Sequence, residues 1–196
     1  KEKKAKKEKK RKKHKILKKL AFYHLDYEAQ YQYTTDYVEE VFNSLNIEKY
    51  WLCLPIKAQC CTSMFQSYWI PWEKSKKNIW VRNMPNHSYI INEDNCEFKY
   101  HDWDYQVQDN FCKWYAKKRK EKTCFLVGIR AQESLNRQAA ITSQKKVKSY
   151  KSKNYIINKD GYFLAYPIYD WNTRDIWIAN AKFNYKYNKL YDLYYQ

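Results

Sequence analysis

A four-residue apolar run, Cys124-Phe125-Leu126-Val127, leads straight into Gly128, one of only two glycines in 196 residues. Short apolar runs bounded by a turn residue read as buried parallel strands. Arg130, Glu133, Ser134, Asn136 and Arg137 follow in close succession. In an open α/β sheet, ligands sit outside the carboxyl ends of the strands. Arginine holds phosphate bidentately and keeps its charge at ordinary pH. A strand that ends in Gly-x-Arg with a second Arg seven residues on is therefore built to meet an anion.

The rest of the chain predicts strands alternating with helices, which means a parallel sheet. A strand is expected over 21–26, and a helix over 28–45 with Ala29, Tyr33, Tyr37, Val38, Val41 and Leu45 on its buried face. A strand over 50–55 follows. Residues 56–101 read as an irregular, Trp-rich insertion, too long for a simple connection. A helix over 104–120, a strand over 123–129 and a helix over 133–141 come next, then a basic loop over 145–154. Residues 155–157 and 162–166 pair as a hairpin around Asn158-Lys159-Asp160-Gly161. Asn172 then caps a helix, with Asp175 as its capping-box partner.

Charge divides the chain. Residues 1–20 hold thirteen Lys/Arg and two Glu, out of a net charge of +17 for the whole. So dense a block of like charge reads as a solvated tail, disordered or at most a marginal helix. Residues 21–196 then form a single domain. As a polycation, Lys1 to Lys19 would bind nucleic acid non-specifically through counterion release. No apolar run approaches the ~20 residues of a membrane span, and residues 1–20 contain no apolar signal-peptide core. The six cysteines form no Cys-x-x-Cys pair, and no histidine stands at ligand spacing from them. Zinc and iron–sulfur centres are not expected, and the cysteines read as free thiols in a reducing cytoplasm.

Separated motifs over residues 22–196 resemble the phosphoadenosine-phosphosulfate (PAPS) reductase family of the adenine-nucleotide α-hydrolase superfamily. They are Gly128-Ile129-Arg130 with Glu133-Ser134, Pro167-Ile168-Tyr169-Asp170-Trp171 with Asp175-Ile176-Trp177, and Tyr187-Asn188-Lys189-Leu190-Tyr191-Asp192. Three further stretches, His24-Leu25-Asp26-Tyr27-Glu28-Ala29-Gln30-Tyr31, Gln66-Ser67-Tyr68-Trp69 and Ile79-Trp80-Val81-Arg82, are similar to a bacterial and phage branch of sulfotransferase or reductase type. The resemblance implies a Rossmann-like α/β fold, a parallel sheet with flanking helices. It also implies ATP or PAPS as ligand, with Mg²⁺ where ATP is used, and a ParB-like protein as a partner.

Departures from the family pattern carry expectations of their own. The family's Gly-rich pyrophosphate loop has no counterpart upstream of Phe22, and the second glycine, Gly161, lies far away. Without a Gly-rich turn, backbone N–H groups cannot close around a polyphosphate. The family's C-terminal Cys motif has no counterpart either. The chain thus reads as a sheet incomplete at its N-terminal strand: a fragment or degenerate copy, inactive on its own, that self-associates through an open sheet edge. The alternative is a non-catalytic module that binds nucleic acid or protein through its basic arm.

Four residues are candidates for substrate or anion binding; no catalytic residue and no metal ligand is assigned. Asp26 ends a strand, where the family faces the nucleotide, or else it caps the following helix. Arg130 and Arg137 resemble the family's anion-binding arginines, or else they pair with Glu133 or Asp170. Arg82, on the long insertion, is a candidate phosphate contact. Glu133-Ser134 reads as a helix cap and Asp170-Trp171 as structural. Gln138-Ala139-Ala140 stand where relatives carry an aromatic residue and a further arginine, which removes bulk and charge beside the site.

Overall fold

Strand β1 (Ala21–Leu25) runs parallel to β2 (Glu48–Leu52), with helix α1 (Gln32–Ser44) as the crossover between them. Parallel neighbours require such a crossover, and α1 supplies it. The register sets Tyr23 beside Tyr50, His24 beside Trp51 and Leu25 beside Leu52. These coordinates are a computed structural model that describes residues 20–60, 63–142, 149–150 and 153–194. The predicted tail, residues 1–19, lies outside the described residues. The chain forms two units, one ending at Val107 and taking in Asn188 onward, the other Gln108–Tyr187.

In the first unit, α1 buries a face different from the one the periodicity predicts. Thr35 and Phe42 are buried and Val38 packs with them, whereas Tyr33 and Leu45 are exposed. The helix starts at Gln32 rather than Glu28, because Glu28 takes a left-handed backbone (φ 66°) that no helix continues. Phe42 then meets Phe22, Trp51 and Tyr89 edge-on, with centroids 5.1, 5.4 and 5.4 Å away. With Cys53, Trp72 and Ile90, this cluster is the core of the unit.

The described residues of the insertion over 56–101 hold only short regular elements. Strands β3 (Ala58–Gln59) and β4 (Tyr68–Trp69) pair antiparallel, and Lys74–Ile79 is a 3₁₀ segment. Strand β5 (Ile90–Ile91) adds to β2 in parallel, completing the order β1-β2-β5. Two residues are too few to show a period, so the sequence hides this third strand. The parallel sheet flanked by helices is the Rossmann-like arrangement expected.

Helix α2 (Asp104–Arg119) has an acid in its first turn and three basic residues in its last, both favourable to the helix dipole. In the second unit, its Phe111 and Tyr115 pack on Phe125 of β6 (Cys124–Leu126), at 6.4 and 5.9 Å between centroids. Helix α3 (Leu135–Thr142) follows, then β7 (Ser149–Tyr150), β8 (Lys153–Asn158) and β9 (Phe163–Ala165). The sheet order is β6-β9-β8-β7. Strand β6 pairs with β9 in parallel, while β8 and β7 run antiparallel to their neighbours. This second sheet is therefore mixed rather than parallel.

Cys124-Phe125-Leu126 is not the fully buried strand its composition suggests: only Phe125 is buried, and Leu126 is 65% exposed. Burial alternates along the strand, so only one of its faces is packed. The expected basic loop over 145–154 holds β7 and the start of β8 instead; residues 143–148 and 151–152 lie outside the described residues. The hairpin forms as predicted, around Gly161 at φ 87°, a conformation that favours glycine. Helix α4 (Thr173–Phe183) begins where Asp175 accepts the Asn172 N–H at 2.8 Å and ends at left-handed Asn184 (φ 50°). No helix among the described residues is long and apolar enough to cross a membrane.

Candidate functional site

Each unit carries arginine beyond the carboxyl end of a parallel strand, Arg82 in the first and Arg130 with Arg137 in the second. In the first unit the anchor is Asp26, immediately after β1. Its N–H donates to Leu52 O at 2.9 Å, which extends the β1–β2 ladder by one residue. The side chain is fully buried. Its carboxylate accepts from Glu28 N–H at 2.8 Å, Trp51 Nε1 at 2.7 Å and Arg82 Nη2 at 2.5 Å. A buried carboxylate requires such pairing, since desolvation otherwise drives it neutral. Asp26 does not cap α1, which begins six residues later.

Glu28 completes the network. Its carboxylate accepts the N–H of Trp72 at 2.7 Å and of Val81 at 2.9 Å, and its own carbonyl accepts Arg82 Nε at 3.0 Å. Trp72 Nε1 donates to Asp26 O at 3.0 Å, and the Arg82 guanidinium lies over the Trp72 ring at 5.0 Å. Glu28 and Trp72 both hold positive φ, 66° and 54°, which costs non-glycine residues about 1–3 kcal/mol each. The hydrogen bonds sustain that strain and pin residues 72–82 to the end of β1. Burial pushes the Cys53 thiol pKa up, as does the Asp26 carboxylate, and removes Cys53 from thiolate chemistry. Burial also holds His24 below its ordinary value, against the opposing pull of Asp26.

In the second unit, Arg130 follows β6. Its Nε donates to Glu133 Oε1 at 3.2 Å and its Nη1 to Thr173 Oγ1 at 3.3 Å. Arg137 Nη1 contacts the other oxygen of the same Glu133. Two guanidinium groups thus share one carboxylate, leaving one positive charge in excess. The Arg130 side chain is 15% exposed and that of Arg137 53%. Asp170 takes part in neither pair. Ser134 Oγ accepts Arg137 N–H at 3.2 Å, which makes it the cap of α3, as its sequence position predicts. Gln132 Oε1 accepts Thr173 N–H at 2.8 Å, so the end of β6 is tied to the start of α4. A Cβ on Gly128 would meet Ile168 at an ordinary 3.8 Å, so packing does not dictate glycine there.

Sequence reasoning overlooked Gln132, Thr173 and Glu28. The first two carry a weak signal, adjacency to Arg130 and to the capping Asn172. Glu28 carries none, since its partners lie 44 and 53 residues away. No three His, Cys, Asp or Glu side chains among the described residues converge as a metal site. Asp26 and Glu28 direct their carboxylate oxygens at N–H donors.

The sequence matches the phosphoadenosine phosphosulfate reductase domain over residues 72–196, a span that includes Arg82, Arg130 and Arg137. It is also similar to the uncharacterized protein YbdN of Escherichia coli (strain K12), 33% identical over 184 residues. That alignment covers 91% of this chain and 44% of YbdN, so the chain spans less than half the length of that relative. No solved structure matches. Domains of the matched family bind adenine nucleotide substrates. On this match over most of its length, the chain belongs to the phosphoadenosine phosphosulfate reductase domain family.

Proposed function

We propose that the chain binds an adenine nucleotide, ATP or PAPS, and holds its phosphate or sulfate group with Arg130 and Arg137. The observation that carries this reading is the shared Glu133. One carboxylate orients two guanidinium groups without neutralising both, at the carboxyl end of a parallel strand. Preorganised positive charge of this kind stabilises an anion without reorganising when it arrives. Within the first unit, Asp26 and Arg82 form a positioning pair of their own. Asp26 fixes Nη2 and Glu28 fixes Nε, which leaves Arg82 Nη1 to meet an anion.

These 196 residues contain no Gly-rich turn to cradle a polyphosphate with backbone N–H groups. By themselves they bind rather than turn over. Titration calorimetry with AMP, PAPS and sulfate tests the anion site. Arg130→Ala is expected to weaken binding by roughly 1.5–3 kcal/mol, the worth of hydrogen bonds to a charged group. Unchanged affinity in that variant would sink the reading.

A further inference from the structure

Charge separates the two units. Residues 108–187, the second unit, hold seventeen Lys/Arg against six Asp/Glu. The first unit without its tail, residues 21–107 and 188–196, holds eight against thirteen. The second unit is therefore strongly basic and the body of the first acidic. Basic charge concentrated in one unit is the electrostatic footprint of a polyanion partner.

The end of α4 adds a stacking platform to that charge. Phe183 is the last residue of the helix, and left-handed Asn184 turns the chain so that Tyr185 lies against it. The two rings stack with centroids 5.4 Å apart and planes at 30°, yet they are 56% and 58% exposed. The turn is fixed, since the N–H groups of Asn184 and Tyr185 both donate to Asn180 O. Tyr187 is held edge-on against Trp177 at 5.2 Å. Every residue from Ala181 to Lys186 is exposed, and no acid stands between Ile176 and Tyr187.

Cations line the approach to the rings. Arg174, Ile178 and Lys182 recur every four residues on α4, so they share one face, and all three are exposed. Arg174 and Lys182 stand about 12 Å apart along the helix axis. Neither forms an ion pair among the described residues, and the Lys182 ammonium lies 5.6 Å from the Phe183 ring centre. We infer that this face of the second unit binds a single strand of nucleic acid. Bases stack on Phe183 and Tyr185, and Arg174 and Lys182 take the phosphates. A duplex keeps its base faces hidden, and an acidic peptide brings charge without bases to stack. The single strand is the polyanion that uses both features.

Fluorescence anisotropy on the full chain tests this with a labelled thymidine strand of twelve nucleotides, its uridine counterpart, and an abasic strand of equal charge. Thymidine keeps the test apart from adenine binding. The base-bearing strands should bind at least about tenfold tighter than the abasic one, as stacking supplies. Either strand behaving so supports the inference, and the tighter of the two names the source. Phe183→Ala with Tyr185→Ala should abolish the preference and leave abasic binding unchanged. Lys1 to Lys19 cannot create that preference, because a polycation reads charge alone. Arg174→Ala with Lys182→Ala should lower the slope of log affinity against log salt by roughly 1.4, the share of two phosphates on a single strand. Bromouracil in the strand should photocrosslink to the tryptic peptide 183–186, between Lys182 and Lys186. Equal affinity for base-bearing and abasic strands overturns the inference. So does a preference that survives in the double aromatic variant, crosslinking confined to residues 1–19, or displacement of the thymidine strand by millimolar AMP.

Discussion

Arg82 shows how much one side chain can hold. Its guanidinium is the cation for a fully buried Asp26 and the donor that closes the Glu28 turn. Arg82→Ala would strand a buried carboxylate, which typically costs about 3–5 kcal/mol. Urea unfolding should show that loss, and a change below about 1 kcal/mol would mean the pair is not buried in solution. His24 supplies a pH prediction from the same neighbourhood. Burial depresses its native pKa below the ordinary 6.5. The unfolded chain then takes up a proton that the native state refuses, so stability is lost as pH falls below 6.5 toward the depressed native value. One such proton supplies a slope of at most about 1.4 kcal/mol per pH unit. Replacing His24 with Gln should flatten the stability profile between pH 7 and 5. An unaltered profile would assign the acid sensitivity to other groups.

Strand β1 makes the corresponding point at the scale of an element. Asp26 N–H faces β2, so by the parallel pattern the N–H and C=O groups of Ala21, Tyr23 and Leu25 face the other way. No strand among the described residues pairs with that edge. Leu20 and Phe22 are exposed beside it. Unpaired edges of this kind recruit further strands. Sedimentation velocity should show concentration-dependent association that Leu20→Lys with Ala21→Pro reduces, the proline standing at the first strand residue, where it is tolerated. A monomer at all concentrations would refute the open edge. Elements marked by local signals were legible in the sequence: β1, α2, the hairpin around Gly161 and the capped start of α4. The buried face of α1 was not. A left-handed Glu28, held by contacts more than forty residues away, sets where that helix begins.

For the whole molecule, the expectation is binding without chemistry. Pyrophosphate-release and sulfite-release assays on the purified chain should stay at background, with Arg130→Ala as the control. Turnover that disappears in the variant would show that a segment other than a Gly-rich turn, such as residues 56–101, holds the phosphates. The family match and the parallel sheet were both accessible from separated motifs, because those motifs lie at strand ends and helix starts where chemistry restricts residue choice. The division of the chain within α2 was not accessible, since nothing in the composition of that helix marks a boundary.

The sequence by itself determined the family, the alternation of strands and helices, and the arginines that follow β6. Local propensities and short motifs carry that information. The tertiary structure alone decided which charges are shared and which remain in excess. Glu133 serves two arginines, and Asp26 consumes one face of Arg82. The Asp26–Arg82 pairing joins residues 56 apart in the chain in a low-dielectric interior, where a buried charge must find its partner, whereas Glu133 meets its two arginines across one helical turn nearer the surface.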